Sequence, residues 1–187
     1  MARDQEFRQC SSHLEEDLRM KAATFIHFPA RDVGRLVFTG DFARRIVTHW
    51  KNGRPDWCWG KPRCSECAEY RGKKAHYVIS CWDSARRAHG VFDFPPHAWA
   101  DILTACQGYG FLRGLVVLVS KEGRKVNGNL VAEVMSTEVG LERYGEMCNV
   151  DKLICSTYGL DYSEYREYME RVNGVSISWE VLGVSPP

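Results

Sequence analysis

The sequence HWKNGRPDWCWGKPRCSEC, residues 49–67, contains three of the chain's eight cysteines within ten residues. Cys64 and Cys67 form a Cys-x-x-Cys pair, Cys58 precedes them, and His49 opens the stretch. Zinc binds four nitrogen or sulfur ligands in a tetrahedron, and a Cys-x-x-Cys pair lets two thiolates reach one ion. The spacing therefore predicts one structural zinc ion, held by His49, Cys58, Cys64 and Cys67.

Two residues beyond this stretch are alternative fourth ligands, namely His76 and Cys81. We favour His49, because it ends a predicted strand just before an Asn-Gly turn, which brings the chain back toward the cysteines. His76 and Cys81 follow the cluster on a single predicted strand, where alternation places them on opposite faces.

A redox or catalytic function of the cysteine pair fits the pattern less well. A thioredoxin-like pair lies at the strand-to-helix turn of a βαβ unit, and no such alternation surrounds residues 64–67. A zinc deaminase needs His-x-Glu ahead of Pro-Cys-x-x-Cys, whereas Lys51 takes the glutamate position and Arg63 separates Pro62 from Cys64. We therefore expect a closed, structural metal site.

Short runs rich in β-branched and aromatic residues surround the cysteine stretch. They predict strands over residues 35–39, 44–50, 75–82, 88–94, 113–120 and 129–136. Pro95 and Pro96 open a predicted helix that continues to Cys106, and an acidic helix is predicted over residues 161–171. Because βαβ alternation is missing, we expect a mainly β, α+β protein: a small antiparallel OB-type barrel with a structural zinc subdomain and a C-terminal helix.

The pattern divides the chain into three segments. Residues 1–30 are predicted to be a helical or mobile N-terminal segment, residues 31–140 a zinc-containing OB-like domain, and residues 141–187 an acidic helical appendage. The longest aliphatic run, residues 115–119, is far shorter than the roughly 20 residues of a membrane helix. The first twenty residues mix both charge signs and lack the apolar region of a secretory signal. We expect a cytoplasmic protein without membrane contact.

Charge is distributed unevenly along the chain, although 25 basic and 24 acidic residues nearly balance. Residues 41–90 carry 11 basic and 5 acidic groups and four of the six tryptophans, while residues 141–187 carry 4 basic and 8 acidic groups. Cations release counterions from phosphates, and flat rings stack on unpaired bases. The candidate residues for binding single-stranded nucleic acid are Arg44, Arg45, Trp50, Lys51, Arg54, Lys73, Lys74, Tyr77, Trp82, Arg86, Arg87, Arg113, Arg124 and Lys125.

The stretch from Phe28 to Val134 resembles the zinc-containing OB-fold core of the helix-destabilising, single-stranded-DNA-binding proteins of large tailed phages. The resemblance rests on a strand ending in His49, the Lys51-Asn52-Gly53 turn, Cys58 with the Cys64/Cys67 pair, and then an aromatic strand, a hairpin and a Trp-bearing helix. It covers a little over half of the chain. It implies a structural zinc on the histidine and the three cysteines, and unpaired DNA bound by basic and aromatic residues of the barrel cleft.

Three functions follow from these patterns, and we favour non-catalytic binding of single-stranded nucleic acid, with DNA implied by the resemblance. The alternative is a zinc-stabilised protein-interaction subunit of a replication, recombination or mobile-element complex, which would contact its partners through the acidic C-terminal segment. A magnesium-dependent nuclease would need clustered carboxylates, whereas Asp93, Asp101, Glu133 and Glu138 are dispersed. We therefore expect no enzyme activity.

Overall fold

The structure, a computed structural model, describes residues 24–28, 32–68, 72–122 and 129–172. Its strands are β1 (Gly34–Phe38), β2 (Arg44–Lys51), β3 (Arg54–Trp57), β4 (Lys73–Asp83), β5 (Ala88–Phe94), β6 (Leu115–Glu122) and β7 (Asn129–Thr137). Its helices are α1 (Ser65–Ala68), α2 (Pro96–Cys106), α3 (Val150–Tyr158) and α4 (Tyr162–Val172), with a 3-10 turn at Leu141–Tyr144.

The seven strands form one antiparallel sheet that is organised around β4. The pairing order is β3-β2-β4-β1-β6-β7, and β5 also pairs with β4. Cys81 of β4 lies between Phe38 of β1 and Gly90 of β5, while Val78 lies between Arg44 of β2 and Asp93 of β5. β1 and β2 thus follow each other along one edge of β4, and β5 occupies the opposite edge.

Each face of the sheet is covered by helices. On one face, here called the α2 face, Ile79 and Phe94 pack with Trp99 and Ile102 of α2. The opposite face, here called the C-terminal face, carries a second buried cluster. Its members are Ile46, Trp57, Val78 and Val91 from the sheet together with Ile154, Cys155, Tyr165 and Met169 from α3 and α4. The described part of the predicted appendage, residues 141–172, therefore packs against the sheet.

The first described segment of the chain, residues 24–28, joins the sheet beside β5. Residues 1–23 and 29–31 of the predicted N-terminal segment lie outside the described residues. Phe25 forms a parallel bridge with Val91, where the Ile26 amide donates to the Val91 carbonyl at 2.8 Å. This approach requires glycine at position 90, because a Cβ atom there would lie 2.7 Å from the Ile26 side chain.

The predicted fold class, mainly β with added helices, is confirmed. β3 and β7 lie at the two ends of the pairing order, so the sheet is open in the described part of the chain and is compatible with a small barrel-like α+β fold. All six predicted strands and both predicted helices are present with ends shifted by at most two residues. None of the described helices has the length and apolar composition that crossing a membrane requires.

Candidate metal centre and nucleic-acid interface

The β2–β3 hairpin brings the first two candidate ligands together. Asn52 and Gly53 both adopt positive φ angles, 51° and 79°, as the tightest hairpin turns require. The returning strand places Cys58 beside β2, where the Cys58 amide donates to the Val47 carbonyl at 3.0 Å. The tight turn at Asn52 and Gly53, which the sequence predicts, therefore brings Cys58 close to His49.

A compact turn then presents the Cys-x-x-Cys pair. Gly60 has a φ of 74°, and its carbonyl accepts a hydrogen bond from the Cys64 amide at 2.9 Å. The Cys67 amide donates to the Cys64 carbonyl at 3.2 Å, which starts the single turn of α1. This turn directs both sulfur atoms toward the same side as His49 and Cys58.

The four ligand atoms of His49, Cys58, Cys64 and Cys67 all lie within 4.8 Å of one another. Cys58 Sγ is 3.3 Å from Cys67 Sγ, and His49 Nε2 is 3.4 Å from Cys64 Sγ and 3.5 Å from Cys67 Sγ. Zinc bound tetrahedrally, with Zn–S about 2.3 Å and Zn–N about 2.0 Å, separates sulfur from sulfur by roughly 3.8 Å and sulfur from nitrogen by roughly 3.5 Å. The four buried side chains are therefore arranged to hold one metal ion, here called the metal centre.

The electrostatics of the thiols favour a bound cation. At Cys67, burial opposes ionisation but is outweighed by contacts with Lys73, Cys58 and His49, so the pKa of Cys67 lies below its usual range. Burial raises the pKa of Cys58, and the neighbouring Cys67 and Cys64 raise it further. Like charges 3.3 Å apart cannot all form without a compensating ion. A divalent metal would supply that compensation for all three thiolates.

The two alternative fourth ligands lie elsewhere. His76 Nε2 is 3.1 Å from Thr48 Oγ1, and His76 Nδ1 is 3.1 Å from Asp93 Oδ1, so both ring nitrogens are engaged. Cys81 is fully buried on the α2 face with its thiol directed at the Gly90 carbonyl, 3.8 Å away. Among the described residues, the geometry brings His49 and not these two to the cysteines.

Five of the candidate nucleic-acid-binding residues come together at the end of the sheet next to the metal centre. In the strand register, Lys73 pairs with His49, Lys74 with Thr48, and Arg54 with Lys51. Trp50 is 60% exposed, and the Lys74 ammonium lies 6.0 Å from the centre of the Trp50 ring system. We call this group the basic corner; its residues are Trp50, Lys51, Arg54, Lys73 and Lys74.

Two aromatic residues that were candidates for stacking on bases, Tyr77 and Trp82, stack on other rings of the protein instead. Tyr77 stacks on Trp99 of α2, with ring centres 5.5 Å apart and planes inclined by 12°. Trp82 stacks on Tyr144 of the 3-10 turn at 4.8 Å. The structure thus places these two rings against internal partners, and Trp50 has the most exposed ring of the three.

The remaining predicted cations are scattered. Arg44 makes a bidentate ion pair with Asp151 of α3, both bonds being 2.7 Å, and Arg45 is exposed on β2. Arg86 and Arg87 lie in the β4–β5 turn, about 30 Å from Lys74 at roughly 3.3 Å per strand residue. Arg113 lies in the loop before β6, 3.9 Å from Asp41. The predicted Arg124 and Lys125 lie outside the described residues.

Two acidic partners were not foreseen from the sequence. Glu66 lies between Cys64 and Cys67, is 9% exposed, and binds the Lys51 ammonium through Oε1 at 3.2 Å. Its position between the two cysteines could have indicated from the sequence that it lies beside the metal centre. Asp151 neutralises Arg44 across a separation of 107 residues, and no local pattern indicates such a pairing.

The acidic C-terminal helix α4 directs two of its three tyrosines, Tyr165 and Tyr168, toward the sheet. Tyr165 is 1% exposed, and its hydroxyl donates to Asp151 Oδ1 at 2.8 Å. Tyr168 packs on Trp57 and donates to the Cys58 carbonyl at 3.2 Å. α4 therefore supports the metal centre from the C-terminal face, and its outward face is mainly charged.

No protein-family model, curated protein or solved structure matches this chain. The site's chemistry therefore rests on its own residues. A buried centre with one imidazole and three thiols is fully ligated by protein, which is the arrangement of structural metal sites.

Proposed function

We propose that this protein binds single-stranded nucleic acid, specifically single-stranded DNA, without catalysing a reaction on it. The observation that carries the proposal is the exposed ring of Trp50, flanked by Lys74 at the basic corner. A bare indole offers a face to any unpaired base, and neighbouring cations offer charge to its phosphates. Stacked bases in a duplex would not reach such a ring, so the corner favours single strands.

In this proposal the metal is a structural zinc ion. Three thiolates and one imidazole are the donor set that suits zinc, and closed ligation leaves no open position for substrate. The seven described cysteines are all free thiols, which is consistent with a reducing compartment such as the cytoplasm. A role in replication, recombination or a mobile-element complex belongs to the alternative, in which the protein is a zinc-stabilised interaction subunit.

The test is fluorescence anisotropy with a labelled thymidine oligonucleotide, a duplex competitor and a salt series. We expect salt-sensitive binding that the duplex competes for poorly. Trp50→Ala should weaken binding by about 5- to 100-fold, because one base–aromatic stack contributes roughly 1–3 kcal/mol.

The matched control is Tyr109→Ala, which removes another exposed ring, 38% exposed, in the loop after α2. It should leave the affinity unchanged. Equal binding of duplex and single strand, or equal losses in the two variants, would contradict the proposal. A wild-type protein that does not bind at low salt would favour the protein-interaction alternative.

A further inference from the structure

Two neighbouring lysines of the basic corner face opposite sides of β4. Successive side chains of a strand alternate between faces, and the register sets Lys73 against His49 and Lys74 against Thr48. Lys73 therefore lies on the metal side of the sheet, directly across the β2–β4 register from His49. Lys74 points to the side of Trp50, over whose ring its ammonium lies.

Lys51 belongs to the metal side as well. It lies two residues after His49 on β2 and so shares its face. Its ammonium is 3.2 Å from Oε1 of Glu66, the mostly buried residue inside the cysteine pair. Lys51 thus links the end of β2 to the short helix α1.

Both lysines lie where their positive charges offset the negative charge of the metal centre and of Glu66. Three thiolates and Glu66 carry four negative charges, and a divalent ion with Lys51 and Lys73 carries four positive charges. Buried charges must be compensated nearby, since an unpaired charge strongly disfavours burial. Without the two lysines, the loaded centre, with three thiolates and a divalent ion, would keep a net charge of −1 beside the carboxylate of Glu66.

We propose that the basic corner is divided by function: Lys51 and Lys73 neutralise the metal centre, whereas Lys74 contacts nucleic-acid phosphates beside Trp50. The assignment of Lys74 rests on the proposed function. The assignment of Lys51 and Lys73 is independent of it, because it concerns only the metal.

The first experiment compares Lys73→Gln with Lys74→Gln, two neutral variants of adjacent residues. Zinc affinity is measured by competition with a chromogenic chelator at fixed pH, with circular dichroism as a check of folding. Lys73→Gln should weaken zinc binding about 10-fold, as loss of a residue next to the ligands typically does, and Lys73→Arg should restore it. Lys74→Gln should match the wild type. Equal zinc affinities in all variants would overturn the assignment of Lys73.

The second experiment measures oligothymidine binding against salt, in zinc-saturated protein. Lys74→Gln should reduce the slope of log K against log salt by about 0.7, the value for one phosphate contact on a single strand. Lys73→Gln should keep the wild-type slope. Equal reductions of the salt slope in the two variants would overturn the proposal that Lys73 and Lys74 have different functions. No binding by the wild type would overturn the proposed function and the assignment of Lys74, while the zinc comparison still decides Lys73.

Discussion

The sulfur atoms of Cys58 and Cys67 lie 3.3 Å apart among buried side chains, so the charge of each thiol depends on the other. Burial raises the pKa of Cys58, whereas contacts with Lys73, Cys58 and His49 outweigh burial and lower the pKa of Cys67. The ionisation of each thiol at this centre therefore depends on the neighbouring side chains as well as on the thiol itself. Removal of one ligand should affect the other three.

We expect Cys64→Ser to lose the metal, because a neutral hydroxyl is a poor ligand for zinc and three ligands leave the site open. Metal analysis after gel filtration should return about one ion per wild-type chain and close to none for the variant. Cys148→Ser, which alters a half-buried thiol outside the centre, should retain the ion. A wild-type chain that is folded and free of metal would refute the site.

At the scale of single residues, the sequence was informative where spacing is local. The four candidate ligands lie within nineteen residues, and their spacing favoured this set while leaving His76 and Cys81 open as alternatives to His49. Local spacing could not predict that the rings of Tyr77 and Trp82 stack inside the protein. Their stacking partners, Trp99 and Tyr144, lie 22 and 62 residues away, and only the folded chain decides which rings remain exposed.

Among the elements, α3 is a helix whose two ends are defined by single residues. Asn149 is its N-cap, with a side chain that accepts from the Lys152 amide at 3.0 Å. Gly159 ends it with a φ of 64°, a left-handed conformation that glycine adopts without strain. These signals were present in the sequence, but the helix has only nine residues. The sequence did not predict β3, because it contains Pro55 and proline is uncommon inside strands. Proline is tolerated here because β3 is an edge strand.

We expect Asn149→Ala to lower the free energy of unfolding by about 1 kcal/mol, the usual effect of losing an N-cap acceptor. Urea unfolding of the zinc-loaded protein measures this difference. Asn149→Asp keeps an acceptor oxygen and should remain close to the wild type. Equal stability of the alanine variant and the wild type would show that the cap contributes nothing here.

In the whole molecule, the sheet is the middle layer of three, and α4 links its C-terminal face to the metal centre through Tyr168 and the Cys58 carbonyl. Alternation predicted that each strand has two distinct faces, but it could not say what covers them. Trp57 contacts Tyr158, Tyr165 and Tyr168, residues about one hundred positions later in the chain. Pairings over such distances depend on shape complementarity between complete elements, which short sequence patterns do not encode.

The C-terminal helices should make the protein sensitive to alkali. Burial raises the pKa of Cys148 and Cys155 to about 11 and that of Tyr158 to about 12, and burial beside Asp151 also raises the pKa of Tyr165. These groups ionise more readily in the unfolded chain, near pH 8.5 for Cys and about 10 for Tyr. Their contribution to stability is complete below those values and is lost as the pH rises toward the folded-state values.

We therefore expect the free energy of unfolding to fall steadily between pH 8 and 11, first through the two thiols and above about pH 10 also through the tyrosines. Urea unfolding at several pH values measures the decline. Tyr165→Phe removes one of the ionising groups, so its curve should fall less steeply above pH 10. A stability that rises over this interval would contradict the structural basis of the prediction.

The position of β4 also bears on how the ion enters and leaves. Opening the middle of β4 means separating β5 from one edge and β1 or β2 from the other at the same time, so its amides should exchange with deuterium only on global unfolding. The single turn of α1, which carries Cys67, has no such double anchor in the strand register. We therefore expect a bound metal ion to exchange through a local opening of α1, while the intact sheet would keep His49 in place for rebinding.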